Sequence, residues 1–209
     1  MAVKAKKQGV RRASVDDRRE LILRAAVEVF SRKGYTGCRI QDVAKEAQVA
    51  YGLVYHYFKN KDELLESVFA TGWKGFLKLV QAEIDREEHI TARVRGIVGV
   101  AFEAYRRDPR AVKVLILEVG RSPAGGSVNR GGAFSQVILA AANMFKAAQQ
   151  RGELPAQLEP VLCATMLFGA IEMGLTTFVM GLLDKRDEAA IARAQEQVVE
   201  TYLRGVTAR

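Results

Sequence analysis

Two short helices and the turn between them are encoded in residues 34–65, GYTGCRIQDVAKEAQVAYGLVYHYFKNKDELL. The first helix is predicted over about residues 40–47, where apolar residues recur at helical spacing: Ile40, Val43, Ala44 and Ala47. Residues 48–50 form a tight connection, and the second helix runs from about Tyr51 to Phe58. Two short helices joined by a three-residue turn predict a helix-turn-helix.

The residues before this motif predict the platform on which it packs. A helix from about Asp16 to Lys33 has one apolar stripe, and Gly34 suits its end. The stripe consists of Ile22, Ala25, Ala26, Val29 and Phe30. A helix-turn-helix is too small to bury its own apolar faces. The three helices therefore predict one unit, the head, which presents its last helix to a DNA major groove.

The positive charge of the chain is concentrated in the same region. Residues 1–61 contain 14 Lys/Arg and 6 Asp/Glu, whereas residues 62–209 contain 18 of each. A basic head indicates a polyphosphate partner, because clustered positive charge releases counterions on binding. By charge alone, RNA and an anionic membrane surface fit equally well. The basic arm, residues 1–15, is open to two interpretations: a solvated tail, or an arm that enters a minor groove.

The second short helix and the turn after it have side chains suited to reading DNA. Three tyrosines and a histidine can hydrogen-bond phosphates and base edges, and their rings can contact thymine methyl groups. Gly52 lets the start of the helix approach a phosphate closely. Val54 and Phe58 are expected to point into the platform, and Lys59 and Lys61 to meet the DNA backbone.

The stretch resembles the DNA-binding domain of the TetR family of bacterial transcriptional regulators. Residues at matching places are Gly34, Tyr35, Val43, Ala44, Ala47, Val49, Gly52, Tyr55, Tyr57, Phe58, Lys61 and Leu64. The resemblance implies an all-α chain. After the arm, it implies an N-terminal three-helix helix-turn-helix DNA-binding domain over residues 16–61. A C-terminal helical ligand-binding and dimerisation domain, the body, then covers residues 62–209.

The resemblance also implies which residues contact DNA. Bases or their flanking phosphates are expected to meet Tyr51, Gly52 and Tyr55, with His56 as a further base contact. Tyr57 and Lys61 are expected on phosphates, so that Lys61→Ala would flatten the salt dependence of binding. Arg39 and Gln41 are weaker candidates. The alternative for Tyr55 and Tyr57 is that one of them packs in the platform.

The chain departs from the family pattern at three places in the motif. Cys38-Arg39 replaces the capping threonine, Gln48 replaces the glycine of the turn, and Ala50 replaces the serine before the second helix. Each lost cap is expected to cost about 1 kcal/mol of local helix stability. Asp42 is expected to compensate by reaching back to the first turn.

The body is predicted to be helical throughout, without a strand pattern. Residues 161–183 contain one charge, Glu172, and are long enough to span a membrane. The mid-span acid and the glycines at 169, 174 and 181 favour a packed helix instead. With a last helix over about residues 188–204, it is expected to form the interface of a homodimer, which suits a pseudo-palindromic DNA site.

The resemblance further implies a small-molecule effector of unknown identity in the body. Its large apolar candidates are Trp73, Phe76, Phe102, Tyr105, Phe168 and Met173, and for each of them plain core is the alternative. Glu172 is expected to contact the ligand or to be the buried partner of an arginine. Arg106 and Arg121 could neutralise an anionic ligand, with a solvated charge as the alternative.

No enzymatic site is predicted. Cys38 and Cys163 have no neighbouring cysteine, and His56 and His89 are isolated, so we expect no disulfide, metal or cofactor, and no redox switch at Cys38. We expect a cytoplasmic, ligand-responsive repressor that binds operator DNA as a dimer and is released by its effector. An activator of the same fold, and a helical enzyme, are the alternatives.

Overall fold

The computed structural model describes residues 15–119, 128–184 and 186–206, and these residues contain helices and no strand. Residues 1–14 of the predicted arm and Arg121 lie outside the described residues. The helices are α1 Val15–Gly37, α2 Ile40–Glu46, α3 Tyr51–Tyr57, α4 Lys61–Ile84, α5 Ile90–Arg107, α6 Pro109–Val114, α7 Val128–Gln150, α8 Pro160–Val179 and α9 Glu188–Val206. The fold is all-α, as predicted.

Local sequence signals account for where several helices begin and end. Asp108 accepts hydrogen bonds from the backbone N–H groups of Arg110 and Ala111, both at 3.1 Å, and Pro109 occupies the first turn of α6. α7 and α8 are followed by Gly152 and Gly181, whose φ values of 75° and 74° lie in the left-handed region that favours glycine.

The region around α6 differs from the sequence prediction. A single helix was expected over residues 110–119, but α6 ends at Val114 and a π-helical turn covers Leu115–Val119. A loop was expected over residues 122–132, but α7 already begins at Val128. The glycines at 131 and 132 indicated a loop, and the helix nevertheless includes them, because single-residue propensities are weak against the rest of a helix.

The buried residues form two apolar clusters. The head cluster contains the stripe of α1, the inner faces of α2 and α3, and Leu64, Leu65 and Val68 from the first turns of α4. The body cluster extends from Val80 on α4 to Val206 on α9. The domain boundary after Lys61 stays a prediction, and α4 contributes to both clusters.

α6 connects the body to the head. Its Val114 is 1% exposed and packs in the head cluster. Arg110 on the same helix forms an ion pair with Glu28 of α1, with an N–O distance of 2.6 Å. The head therefore rests on two elements of the body, α4 and α6.

Candidate functional site

The exposed face of α3 presents a pair of tyrosines. The Tyr51 hydroxyl donates a hydrogen bond to that of Tyr55 at 3.2 Å, and the rings pack edge to face with centroids 5.2 Å apart. The two side chains remain 52% and 44% exposed. The hydrogen bond between the two hydroxyls raises the pKa of Tyr55. A tyrosine hydroxyl is protonated at neutral pH and can donate to an acceptor.

Most of the residues predicted to contact DNA are exposed on α2, on α3 or directly before α2. Arg39, Gln41, Gly52 and His56 are exposed, and a Cβ at Gly52 would meet no atom within 4 Å. Tyr57 is only half-buried and packs against the head cluster. Of the two tyrosines considered for the platform, Tyr57 is therefore the one that packs there in part.

The inner face of α3 agrees with the sequence prediction. Val54 is 0% exposed and Phe58 is 2% exposed, and both belong to the head cluster. The Arg19 guanidinium of α1 lies 5.3 Å from the centroid of the Phe58 ring, a cation–π contact. These contacts fix the rotation of α3 about its axis, and thereby the direction of the tyrosine pair.

The start of α2 is stabilised without the usual threonine. Asp42 accepts a hydrogen bond from the backbone N–H of Arg39 at 3.0 Å, which is the compensation predicted from the sequence. Lys33 of α1 bonds the other oxygen of the same carboxylate at 2.7 Å. The Lys33 bond and the Arg39 N–H together hold the pKa of Asp42 below its ordinary value.

The turn between α2 and α3 shows the cost of two departures. Gln48 has a φ of 55°, in the left-handed region where a glycine would be unstrained. Ala50 precedes α3 and offers no side-chain hydrogen bond to its first turn. The turn still closes, because the Val49 N–H bonds the Ala44 carbonyl at 3.0 Å and the Leu53 N–H bonds the Ala50 carbonyl at 2.9 Å.

Ion pairs within the head leave some of its cations uncommitted. Arg32 is paired with Glu46 at 2.8 Å and Lys33 with Asp42 at 2.7 Å. By contrast, Arg39, Lys45 and Lys59 are exposed and form no ion pair with another described residue. These three charges are available to an external anion such as a phosphate.

Lys61 is directed inward and not towards solvent. Its Nζ donates hydrogen bonds to the carbonyl oxygens of Tyr35 at 2.8 Å and Cys38 at 2.9 Å, and it lies 4.3 Å from the centroid of the Tyr35 ring. The phosphate contact expected from Lys61 is therefore not what its geometry supports, because two carbonyls and a ring already surround the ammonium group.

The side chain of Cys38, whose carbonyl accepts from Lys61, is buried in the head. It is 2% exposed, and burial raises the pKa of its thiol to about 11. A thiol of that pKa is almost entirely protonated at neutral pH and is a poor nucleophile. Both cysteines are free and buried. The structure gives a redox switch at Cys38 no support.

In the body, the aromatic candidates fall into two groups. Phe102, Tyr105 and Phe168 are 0%, 1% and 9% exposed and belong to the body cluster. Trp73 and Phe76 on α4 are only half-buried. Trp73 lies between two other aromatic residues of α4, with ring centroids 5.3 Å from Phe69 and 5.2 Å from Phe76.

Two expected ligand contacts, Glu172 and Met173, lie on the outer side of α8. Glu172 is exposed in the single chain, so it is not the buried partner of an arginine there, and a ligand contact by either residue stays a prediction. Met173 is 63% exposed and faces away from the body cluster. Apart from Glu172 the helix is apolar on every side, so the sequence alone could not show which face packs inward. Arg106, in turn, donates to Gln195 at 3.0 Å and pairs with Glu188 at 3.5 Å.

The outer side of α8 and the adjoining part of α9 form an apolar surface, here named the α8–α9 face. It includes a recess of about 580 Å³ lined by Met166, Met173, Val198 and Thr201 among others. Leu162, Met166 and Met173 on α8, and Met180 directly after it, are 59% to 65% exposed. By length and composition α8 could cross a membrane, but its other face is part of the body cluster.

The fold and the exposed face of α3 define a class of protein, the helix-turn-helix DNA-binding regulators with a separate helical body. Comparison with known proteins gives the family. Residues 22–68 match the family model described as "Bacterial regulatory proteins, tetR family". The head therefore matches the DNA-binding domain of that family, and the chain is a transcriptional regulator similar to its members.

Relatives extend the similarity beyond the head. The chain is 27% identical to the fatty acid metabolism regulator protein of Bacillus subtilis over 88% of this chain and 93% of that protein. It is 33% identical to the transcriptional repressor NicS of Pseudomonas putida over 56% of this chain and 55% of the repressor. The crystal structure of FadR from Bacillus subtilis in complex with stearoyl-CoA is 26% identical, with a TM-score of 0.76, and the alignment covers 89% of this chain and 98% of that one.

Proposed function

We propose that this regulator is a repressor that binds a pseudo-palindromic operator as a homodimer and is released by a fatty acyl-CoA. The observation that carries the DNA-binding part is the exposed Tyr51–Tyr55 pair on α3, with uncommitted cations at Arg39 and Lys59 on the adjoining connections. The hydroxyls and rings of the pair supply hydrogen bonds and apolar contacts to base edges, and the cations supply affinity for phosphates.

The α8–α9 face supports the homodimer. Methionine and leucine side chains exposed along one side of a helix are costly in water, and a second copy of the same surface would cover them. Gly174 brings α8 close to α9, since a Cβ there would lie 3.0 Å from a methyl group of Val198. An isologous dimer has two heads related by a two-fold axis, which is the symmetry of a pseudo-palindrome.

The acyl-CoA part rests on the similarity to the regulator of Bacillus subtilis whose structure contains stearoyl-CoA. The body of the present chain has an apolar cluster suited to an acyl chain, in which Phe102, Tyr105 and Phe168 are enclosed. Trp73 and Phe76 are half-buried at the edge of that cluster. We therefore propose that the acyl group of the effector enters beside α4 and displaces these two side chains. We also propose that this regulator acts in the cytoplasm.

Selection of duplexes from a random DNA library tests the dimeric reading of DNA. The proposal expects an enriched sequence with two-fold symmetry. Met173→Glu places a charge in the α8–α9 face and should give a monomer by analytical ultracentrifugation, with loss of operator affinity of at least about a hundredfold. Leu79→Glu, at an exposed position on α4, is the control and should stay dimeric. A dimeric Met173→Glu protein would show that another surface forms the dimer.

Titration with stearoyl-CoA tests the effector. Trp73 is the only tryptophan of the chain, so its fluorescence reports on the proposed entry beside α4. We expect saturable binding by calorimetry together with a change in tryptophan emission. Coenzyme A alone and free stearate are the controls, and neither should reproduce the effect. Absence of both signals with stearoyl-CoA would remove acyl-CoA from the proposal and leave the DNA-binding part standing.

A further inference from the structure

Two consecutive residues at the start of α4 hold Tyr35, which follows the break in α1 at Gly34. The Nζ of Lys61 bonds the backbone carbonyls of Tyr35 and Cys38 and lies over the Tyr35 ring. The carboxylate of Asp62 accepts a hydrogen bond from the Tyr35 hydroxyl at 2.5 Å. Tyr35 is thereby attached to α4 at its backbone, its ring and its hydroxyl. We call these contacts the Tyr35 clamp.

The chain geometry explains why a cation is bound there. The regular part of α1 is interrupted at Gly34, with a φ of 71°, and the backbone then leaves the helix direction. Carbonyl oxygens at the end of a helix can accept from donors outside it. The Tyr35 carbonyl accepts from the Cys38 N–H at 3.3 Å and has room for a second donor. A lysine ammonium has three donors and no acceptor, and it can bond two carbonyls at once. Lys61 supplies both bonds.

The clamp acts on the reading helices because of its position. Cys38 is one residue from Arg39, the N-cap of α2, and α2 and α3 pack together in the head cluster, to which α2 contributes Val43 and Ala44. The orientation of α2 and α3 relative to α4 is therefore fixed where Lys61 meets the two carbonyls. A shift of this connection would move the Tyr51–Tyr55 pair relative to the bases.

We propose that Lys61 is a positioning residue for DNA recognition and that Lys59 makes the phosphate contact of this turn. The proposal rests on the operator binding proposed above. Lys59 is exposed, and only its backbone is held, by a 2.6 Å hydrogen bond from its N–H to Glu63. Its side chain can reach outward, whereas the Lys61 ammonium is occupied inside the head.

The salt dependence of operator binding separates these two roles. Each phosphate neutralised in B-DNA contributes about 0.9 to the slope of log K against log salt, so two equivalent heads contribute about 2. Lys59→Ala should reduce the slope by about 2. Lys61→Met should lower affinity about tenfold or more at every salt concentration and leave the slope unchanged. Lys61→Gln, which keeps a donor but not the charge, should recover part of the affinity.

Tyr35→Phe keeps the experiment decisive if Lys61→Met does not fold. It removes only the hydroxyl bond to Asp62, so it should lower affinity by a smaller factor, again without a change of slope. A slope for Lys61→Gln as low as that of Lys59→Ala would overturn the proposal, since Lys61 would then be neutralising a phosphate.

Failure of the proposed function gives a different result. A wild-type protein that binds no specific duplex would refute operator binding. Even then, the clamp predicts that Lys61→Gln lowers the melting temperature and Lys59→Ala does not. Equal melting temperatures for the wild type and Lys61→Gln would show that the clamp does not hold the head together.

Discussion

The proposed functional residues of the head lie on its surface, whereas those of the body lie in its interior. In the head, Tyr51 and Tyr55 lie on the exposed face of α3, and the buried residues beneath them only hold that face in position. In the body, Phe102 and Phe168 lie inside the apolar cluster, where a residue that contacts a ligand and a residue that only packs look alike. A surface site can be changed without a loss of stability, whereas an interior site cannot.

The largest effect on stability is expected from Phe102→Ala in the body. Phe102 is 0% exposed, and removal of a buried phenylalanine costs about 3–5 kcal/mol. Urea unfolding should therefore show a large decrease in the free energy of unfolding. Tyr55→Ala in the head is the matched comparison and should leave stability essentially unchanged while it lowers operator affinity. Similar stabilities for the two variants would contradict the division between surface and interior sites.

The next-largest effect on stability is expected from alanine at Gly99 and Gly174. Both are helical glycines of the body, and their surroundings differ. A Cβ at position 174 would lie 3.0 Å from Val198, and one at position 99 would lie 3.8 Å from Gln195. Alanine is favoured over glycine in a helix by about 1 kcal/mol. Gly99→Ala should gain that stability and Gly174→Ala should not, as measured by thermal unfolding. An equal gain at both positions would show that α8 and α9 are not closely packed there.

Gln48 in the head is the reverse case, a residue that is not glycine where the backbone favours glycine. Its φ of 55° predicts that Gln48→Gly stabilises the protein by up to about 1 kcal/mol. Gln136→Gly, at an exposed position within α7, is the control and should destabilise by a similar amount. If both variants lost stability in chemical denaturation, the left-handed conformation of Gln48 would be incorrect.

The smallest expected effect is the dependence of the stability of the head on pH. Binding of Lys33 and of the Arg39 N–H lowers the pKa of Asp42 in the folded protein from its ordinary 3.8. A lowered folded-state pKa means that this stabilisation is present above pH 3.8 and is lost as the pH falls through the folded value. The wild type should thus lose more stability on acidification than Asp42→Asn does. Parallel pH profiles for the two proteins would leave Asp42 without this role.

The sequence predicted the head in more detail than the body. Helical spacing identified the buried stripe of α1, and the positions of Val54 and Phe58 on α3, because a half-buried helix has a distinct apolar face. The role of Asp42 at the start of α2 followed from its spacing to Arg39. The contact of Lys61 with Tyr35 joins residues 26 apart in sequence, and no local pattern encodes it.

The body was predicted in less detail for a related physical reason. α8 is apolar on all sides, so its periodicity could not assign Met173 and Glu172 to the outer face. The α8–α9 face became apparent only when the packing showed which apolar residues stay exposed. The π-helical turn after α6 was also missed, because residues 110–119 have an ordinary helical pattern.

Operator affinity measured at increasing concentrations of stearoyl-CoA tests most directly whether the effector releases the protein from DNA. We expect a decrease of at least about tenfold at saturation, and by linkage an equal decrease in acyl-CoA affinity when operator is bound. Coenzyme A alone should leave the affinity unchanged. Saturable stearoyl-CoA binding with an unaltered operator affinity would contradict the claim that occupancy of the body releases the head from DNA.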